Sequence, residues 1–202
     1  MPRLRRRNPL QKPTSATAVN YIIDEKNGLF YTVVYDSRLA EQLAHSGLSL
    51  EPALLGALSV AADNRVASMP RCSVDFAVAR RGYGPLVYDL TARGLDLYVK
   101  GCKSLKPSKT QSPYARMFWQ RIDAEELFPL GDDFFRAKYG LSATQMESQG
   151  RRMSRARKIG PTNRKLEEAA YEMIDKYVAI GGLEKIRPVP LTQMLSRAGY
   201  AA

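Results

Sequence analysis

The chain has 202 residues, 45% of them hydrophobic, which suits one domain with extensions. Lys and Arg number 31 against 20 Asp and Glu, a formal net charge of +11. No apolar run approaches the ~18 residues of a membrane span, and no apolar stretch follows the basic N-terminus, so neither a membrane segment nor a secretory signal is expected.

The expected location is the cytoplasm or the inside of a virion. With one histidine, His45, and two cysteines, Cys72 and Cys102, the usual zinc sites are out of reach, and no metal is expected. The cysteines read as buried small hydrophobes in a reducing compartment rather than as a bridge. His45 sits in Leu43-Ala44-His45-Ser46-Gly47, a helix end where a cation is favourable, a poor context for catalysis.

Residues 1–16 read as a flexible basic arm with Arg3, Arg5, Arg6, Arg7 and Lys12. β-Branched and aromatic runs at 19–23 and 29–35 predict strands, and Asn27-Gly28 between them predicts a hairpin. Ser37 as a cap predicts a helix over 37–44, with Leu39 and Leu43 on one face. The apolar run 53–61 predicts a central strand. Over 72–78, Cys72, Val74, Phe76 and Val78 alternate with Ser73, Asp75 and Ala77. That alternation predicts a strand with Asp75 on its less apolar face.

Arg80-Arg81-Gly82-Tyr83-Gly84-Pro85 then predicts a basic glycine turn that opens a helix. Glycines let the backbone approach an anion, the first free N–H groups of the helix face it, and Pro85 suits the first helical position. The dinucleotide fingerprint fails because Val87 stands at its third glycine, and the Gly-Lys-Ser/Thr ending of ATP-type loops is absent. Gly94 predicts the helix stop and 95–99 the next strand. A basic loop at 100–109 leads to Ser112 and Pro113, which predict a helix to about residue 121. A short helix is predicted over 132–139. Thr162 predicts the cap of an amphipathic helix through 180, with the stripe Leu166, Ala170, Met173, Ile174, Tyr177. That stripe fits core packing or a protein partner.

The positive charge is clustered. Lys100, Lys103, Lys106, Lys109, Arg116 and Arg121 stand with no acid between Asp96 and Asp123. Arg151, Arg152, Arg155, Arg157, Lys158, Arg164 and Lys165 form a further run without acids. Such fields attract polyanions, most commonly nucleic acid, although a solubility surface or a protein-binding arm is the plainer reading.

The order hairpin, helix, two strands, glycine turn with helix, strand, helix resembles the GNAT acyltransferase fold over about residues 18–125. In that family a strand runs into Arg/Gln-x-x-Gly-x-Gly/Ala, and Ala79-Arg80-Arg81-Gly82-Tyr83-Gly84 stands in that place. Ala115-Arg116-Met117-Phe118-Trp119 resembles the family's later Ala-x-x-Phe-Tyr/Trp helix. Gly-Tyr-Gly-Pro-Leu-Val-Tyr-Asp at 82–89, with Ser112, Ala115 and Trp119, is similar to a divergent GNAT-like group found in phages.

The resemblance implies an α/β (α+β) fold, a mixed central sheet flanked by helices. It implies an acyl-CoA, such as acetyl-CoA, held by Val78, Arg80, Arg81, Gly82, Tyr83 and Gly84. It implies direct attack of an amine on the thioester, polarised by a backbone N–H of splayed strands. Asp75 and Tyr114 are the proton-handling residues available for that reaction. The chain departs from the family at Ala79, where Arg or Gln is usual, and at Phe118 or Trp119, where an acid tyrosine is usual.

The expected organisation is a basic arm at 1–16, a GNAT-like domain at 17–140 and a basic helical extension at 141–202. The expected function is N-acyl transfer on or near a polyanionic partner. The alternative is an inactive GNAT-like scaffold that binds nucleic acid or serves in a virion. In either case Arg3, Arg5, Arg6, Arg7, Arg151, Arg152, Arg155, Arg157 and Lys158 are the candidate nucleic-acid contacts.

Overall fold

The Asn27-Gly28 turn closes because Gly28 adopts φ +66°, a left-handed value that suits glycine. The Asp24 carboxylate accepts from the Asn27 amide at 3.2 Å and from its side chain at 2.6 Å. The turn joins β1 (Thr17–Asp24) to β2 (Leu29–Asp36) in antiparallel register, with Thr17 opposite Asp36 and Asp24 opposite Leu29. This computed structural model describes residues 10–24, 27–63, 71–99, 102, 105–108, 110–111, 113–119, 131–150, 161–179 and 184–185.

Helix α1 (Ser37–His45) begins one residue away from the expected cap. Asp36 caps it, its carboxylate accepting from the Leu39 amide at 3.0 Å, while the Ser37 hydroxyl donates to Ala16 O at 2.9 Å. A single-turn 3-10 helix, Glu51–Ala53, leads into β3 (Leu54–Asp63), which pairs antiparallel with β4 (Arg71–Ala79). Helix α2 (Gly84–Tyr98) then crosses over to β5 (Leu105–Lys106), which lies parallel to β4. The result is a five-stranded mixed sheet in the order β1-β2-β3-β4-β5.

Two expectations fail in α2. Gly94 does not stop the helix, and the predicted strand at 95–99 is instead its last turn. Gly94 is there for contact. A Cβ at this position would stand 2.5 Å from Tyr21 Cε1 and 2.8 Å from Phe30 Cζ, so only glycine lets α2 lie this close to the hairpin.

The remaining chain supplies α3 (Pro113–Trp119), α4 (Asp132–Tyr139), α5 (Ala143–Gln149) and α6 (Pro161–Ala179). A small two-stranded sheet joins β6 (Thr110–Gln111) to β7 (Glu184–Lys185). Helix α6 begins at Pro161, so Thr162 lies within it rather than capping it. The short α5 has no apolar stripe to announce it. Its start is a capping box, in which Ser142 accepts from the Gln145 amide and the Gln145 side chain returns to the Ser142 amide.

Helices cover both faces of the sheet. On one face Leu86, Leu90 and Leu95 of α2 pack with Phe135 and Tyr139 of α4 and Met146 of α5. On the other, Leu166, Ala170 and Met173 of α6 and Ala40 of α1 pack over Ile22, Tyr31 and Ala57. Leu166, Ala170, Met173 and Ile174 of the α6 stripe are therefore core, and the Tyr177 side chain lies outside the described residues.

The expected alternation in β4 is broken in the middle. Val74 stands opposite Val60 and Phe76 opposite Ser59, leaving Asp75 as one extra residue, a β-bulge. Cys72 and Val74 therefore face α2, while Phe76 and Val78 face α6. A one-residue slip turns every later side chain to the other face. Cys72 and Cys102 were expected to be separate; they are bonded as a disulfide, with Cα atoms 6.1 Å apart.

Candidate functional site

The end of β4 continues into the glycine turn. The Arg80 amide donates to Leu55 O at 2.8 Å, and the Tyr83 amide donates to Arg80 O at 3.0 Å, closing the turn. Gly82 takes φ +87°, a value that L side chains rarely adopt. The first helical bond runs from the Val87 amide to Tyr83 O at 3.1 Å. The amides of Gly84 and Leu86 lie ahead of that bond, Pro85 has none, and no side chain caps this end. Such an end favours an anion.

Two neighbours shape the turn. A Cβ on Gly56 would meet Val87 Cγ2 at 2.7 Å, so Gly56 seats the first turn of α2 against β3. From the N-terminal side, the Gln11 amide donates to Gly82 O at 3.2 Å. At Gly84 a Cβ would meet nothing within 4 Å.

The two arginines divide. The Arg80 guanidinium turns back to the 3-10 helix, donating to Leu54 O at 2.6 Å, Glu51 O at 3.2 Å and Pro52 O at 3.3 Å. It also meets the Glu51 carboxylate at 3.4 Å, which Lys176 of α6 reaches at 2.6 Å. Arg81 is exposed beside the turn. Tyr83 is half-buried, and the Val78 side chain is buried on the α6 side.

Asp75 is exposed at the bulge, and its carbonyl accepts from the Ser108 hydroxyl at 3.4 Å. β5 pairs with β4 only at Cys72 and Ser73. Beyond Ser73, β4 has no strand on that side among the described residues. Ser59, opposite Phe76 at the bulge, has a buried hydroxyl with no hydrogen-bond partner among the described residues. Tyr114 lies on α3, and its side chain is outside the described residues.

Other residues of the glycine-turn motif hold the helices together. Phe118 stacks on Tyr88 at 4.3 Å between centroids, and Trp119 meets the same ring edge-on at 5.5 Å. Burial pushes the Tyr88 hydroxyl up to about 12, with a hydrogen bond to Trp119 pulling the other way, so it keeps its proton at neutral pH. Asp89 accepts from the Tyr139 hydroxyl and from Lys138 Nζ. Burial holds the Asp89 carboxyl above its ordinary range, against the pull of Lys138 and Tyr139. Arg93 ties α2 to Asp132 at 3.1 Å and to Glu147 at 3.3 Å.

Sequence reasoning missed Glu51, which organises Arg80 and Lys176, and Glu167, whose carboxyl burial raises against a hydrogen bond from Tyr31. Neither carries a motif.

No protein-family model, curated protein or solved structure matches this chain.

Among the described residues no group of three or more His, Cys, Asp or Glu could hold a metal ion. No helix among them is long and apolar enough to cross a membrane. His45 lies in the last turn of α1, exposed, with Nδ1 2.7 Å from Glu41 O. Arg3, Arg5, Arg6, Arg7, Arg151, Arg152, Arg155, Arg157 and Lys158 lie outside the described residues.

Proposed function

We propose that the chain is a GNAT-like N-acyltransferase of phage origin. It takes an acyl-CoA, such as acetyl-CoA, and acts on an amine on or near a polyanion. One observation carries this reading. β4 is bulged at Asp75, loses its β5 partner after Ser73, and runs into the Gly82 turn at an uncapped helix start.

A pyrophosphate would lie against the Gly84 and Leu86 amides, with Arg81 beside it. The thioester would lie along the β4 edge beyond Ser73, where backbone N–H groups polarise its carbonyl. The amine nitrogen attacks that carbon, the C–N bond forms, and the C–S bond breaks to release the CoA thiolate. Asp75 takes the proton from nitrogen, and Tyr114 supplies one to sulfur. The arginines of 3–7 and of 151–157 would recruit the polyanion; the Gln11–Gly82 bond, which ties the base of the arm to the turn, supports that link.

Calorimetry with acetyl-CoA tests the reading on wild type and on Gly82→Asp. Wild type binds at micromolar ligand. The variant loses affinity by about tenfold or more, because its carboxylate repels the phosphates and its φ is strained. Retained affinity in the variant overturns this placement of the donor.

The second reading is an inactive scaffold that binds nucleic acid or serves in a virion. The rings of Phe118 and Trp119 favour it, since they pack on Tyr88 where the family's acid would stand. Wild type that binds no acetyl-CoA at millimolar ligand selects this second reading.

A further inference from the structure

Cys72 and Cys102 are the two cysteines of the chain, and both are buried beneath α2. Cys72 stands opposite Leu105 in the parallel pair, and Cys102 lies shortly before Leu105. Their disulfide spans a sequence separation of 30 and encloses the bulge, the glycine turn and α2. Among the described residues the other ties between β5 and the sheet are short, apart from the Leu105 side chain, which is buried in the core with α2. The backbone pairing covers Cys72–Leu105 and Ser73–Lys106, and the Ser108 hydroxyl adds one bond to Asp75 O. A strand pair of this length holds little by itself. By contrast β1, β2, β3 and β4 are paired along most of their length.

We propose that the Cys72–Cys102 disulfide is a redox-sensitive staple that fixes β5 against β4. Its reduction releases β5 while the four antiparallel strands stay folded. The reductant is a small thiol such as glutathione. One thiolate attacks a cysteine sulfur, breaking the Cys72–Cys102 bond and forming a mixed disulfide. A second thiolate then attacks the glutathione sulfur of that bond. The products are two cysteine thiols and one glutathione disulfide, with two electrons and two protons passed to the protein. Because both sulfurs are buried, the first attack requires β5 to open, so the rate of reduction reports that opening. The staple stands independently of the acyl-CoA reading.

The test is amide hydrogen exchange on the full chain, equilibrated with oxidised or with reduced glutathione, with thiols counted in denaturant. The oxidised protein has no titratable thiol. On reduction, protection at Leu105 and Lys106 falls about tenfold or more beyond any fall across β2 and β3. The double variant Cys72→Ala, Cys102→Ala shows the reduced pattern under both conditions. Two thiols persisting under oxidised glutathione overturn the proposal. A uniform loss of protection across the sheet on reduction also overturns it, and that reading needs wild type alone.

Discussion

Arg80 and Arg81 are neighbours with separate work. The Arg80 side chain is 43% exposed, so its ion pair with Glu51 is screened by water and contributes little. Its bonds to the carbonyls of Glu51, Pro52 and Leu54 matter more, because those groups close the 3-10 helix against the start of β3. Arg80→Ala is expected to lower stability by about 1–2 kcal/mol, the net worth of such charge-assisted bonds. Arg81→Ala is expected to lower stability by less than Arg80→Ala, because the Arg81 side chain is exposed and its interactions are screened by water, while weakening acetyl-CoA binding. Urea midpoints and calorimetry on both variants check the division. Equal stability losses would show that the two side chains do not differ in this way.

At the scale of elements, Gly94 sets two effects against each other. Gly94→Ala gains about 1 kcal/mol of helix propensity in the middle of α2. It also drives a methyl group into the Tyr21 and Phe30 rings, and overpacking of that kind costs ~1–3 kcal/mol. Tyr21 is poorly placed to retreat, because its hydroxyl donates to Leu90 O at 2.9 Å on the same helix. A lower thermal midpoint for Gly94→Ala is therefore expected, and a raised one would mean that the rings give way freely.

The same glycine shows where sequence reading stops. The hairpin and the glycine turn are legible because Asn27-Gly28 and Gly82 act through local backbone preferences. Gly94 looked like a stop because its reason for being glycine lies on another element. The bulge at Asp75 was hidden likewise, since it is defined by the strand opposite. Within the candidate site, the turn could be read from spacing. The capture of Arg80 by Glu51 could not, because those residues meet only once β3 and β4 pair. The disulfide escaped for the same reason.

At the scale of the molecule, the sheet is a wall shared by two cores, and α6 closes one of them. Leu166, Ala169, Ala170 and Met173 cover Ala18, Ile22, Tyr31 and Ala57, and Asn163 accepts a hydrogen bond from Asn20 at 3.1 Å. A buried aliphatic side chain contributes ~1.5–3 kcal/mol, so losing the helix removes a large share of the ~5–15 kcal/mol that holds a domain folded. A chain cut at residue 160 is expected to bind a hydrophobic dye and to lose cooperative unfolding. A cooperative melt for that fragment would show that the other helices suffice. One feature at the opposite end matters for handling the protein. The Gln11 amide is bonded to Gly82 O, and an extended chain reaches only ~3.3–3.6 Å per residue. Whatever is fused ahead of Met1 is thus held within about 35 Å of the glycine turn. An affinity tag, fluorophore or immobilisation chemistry placed there would crowd the surface being assayed, so binding measurements belong on protein with the tag removed.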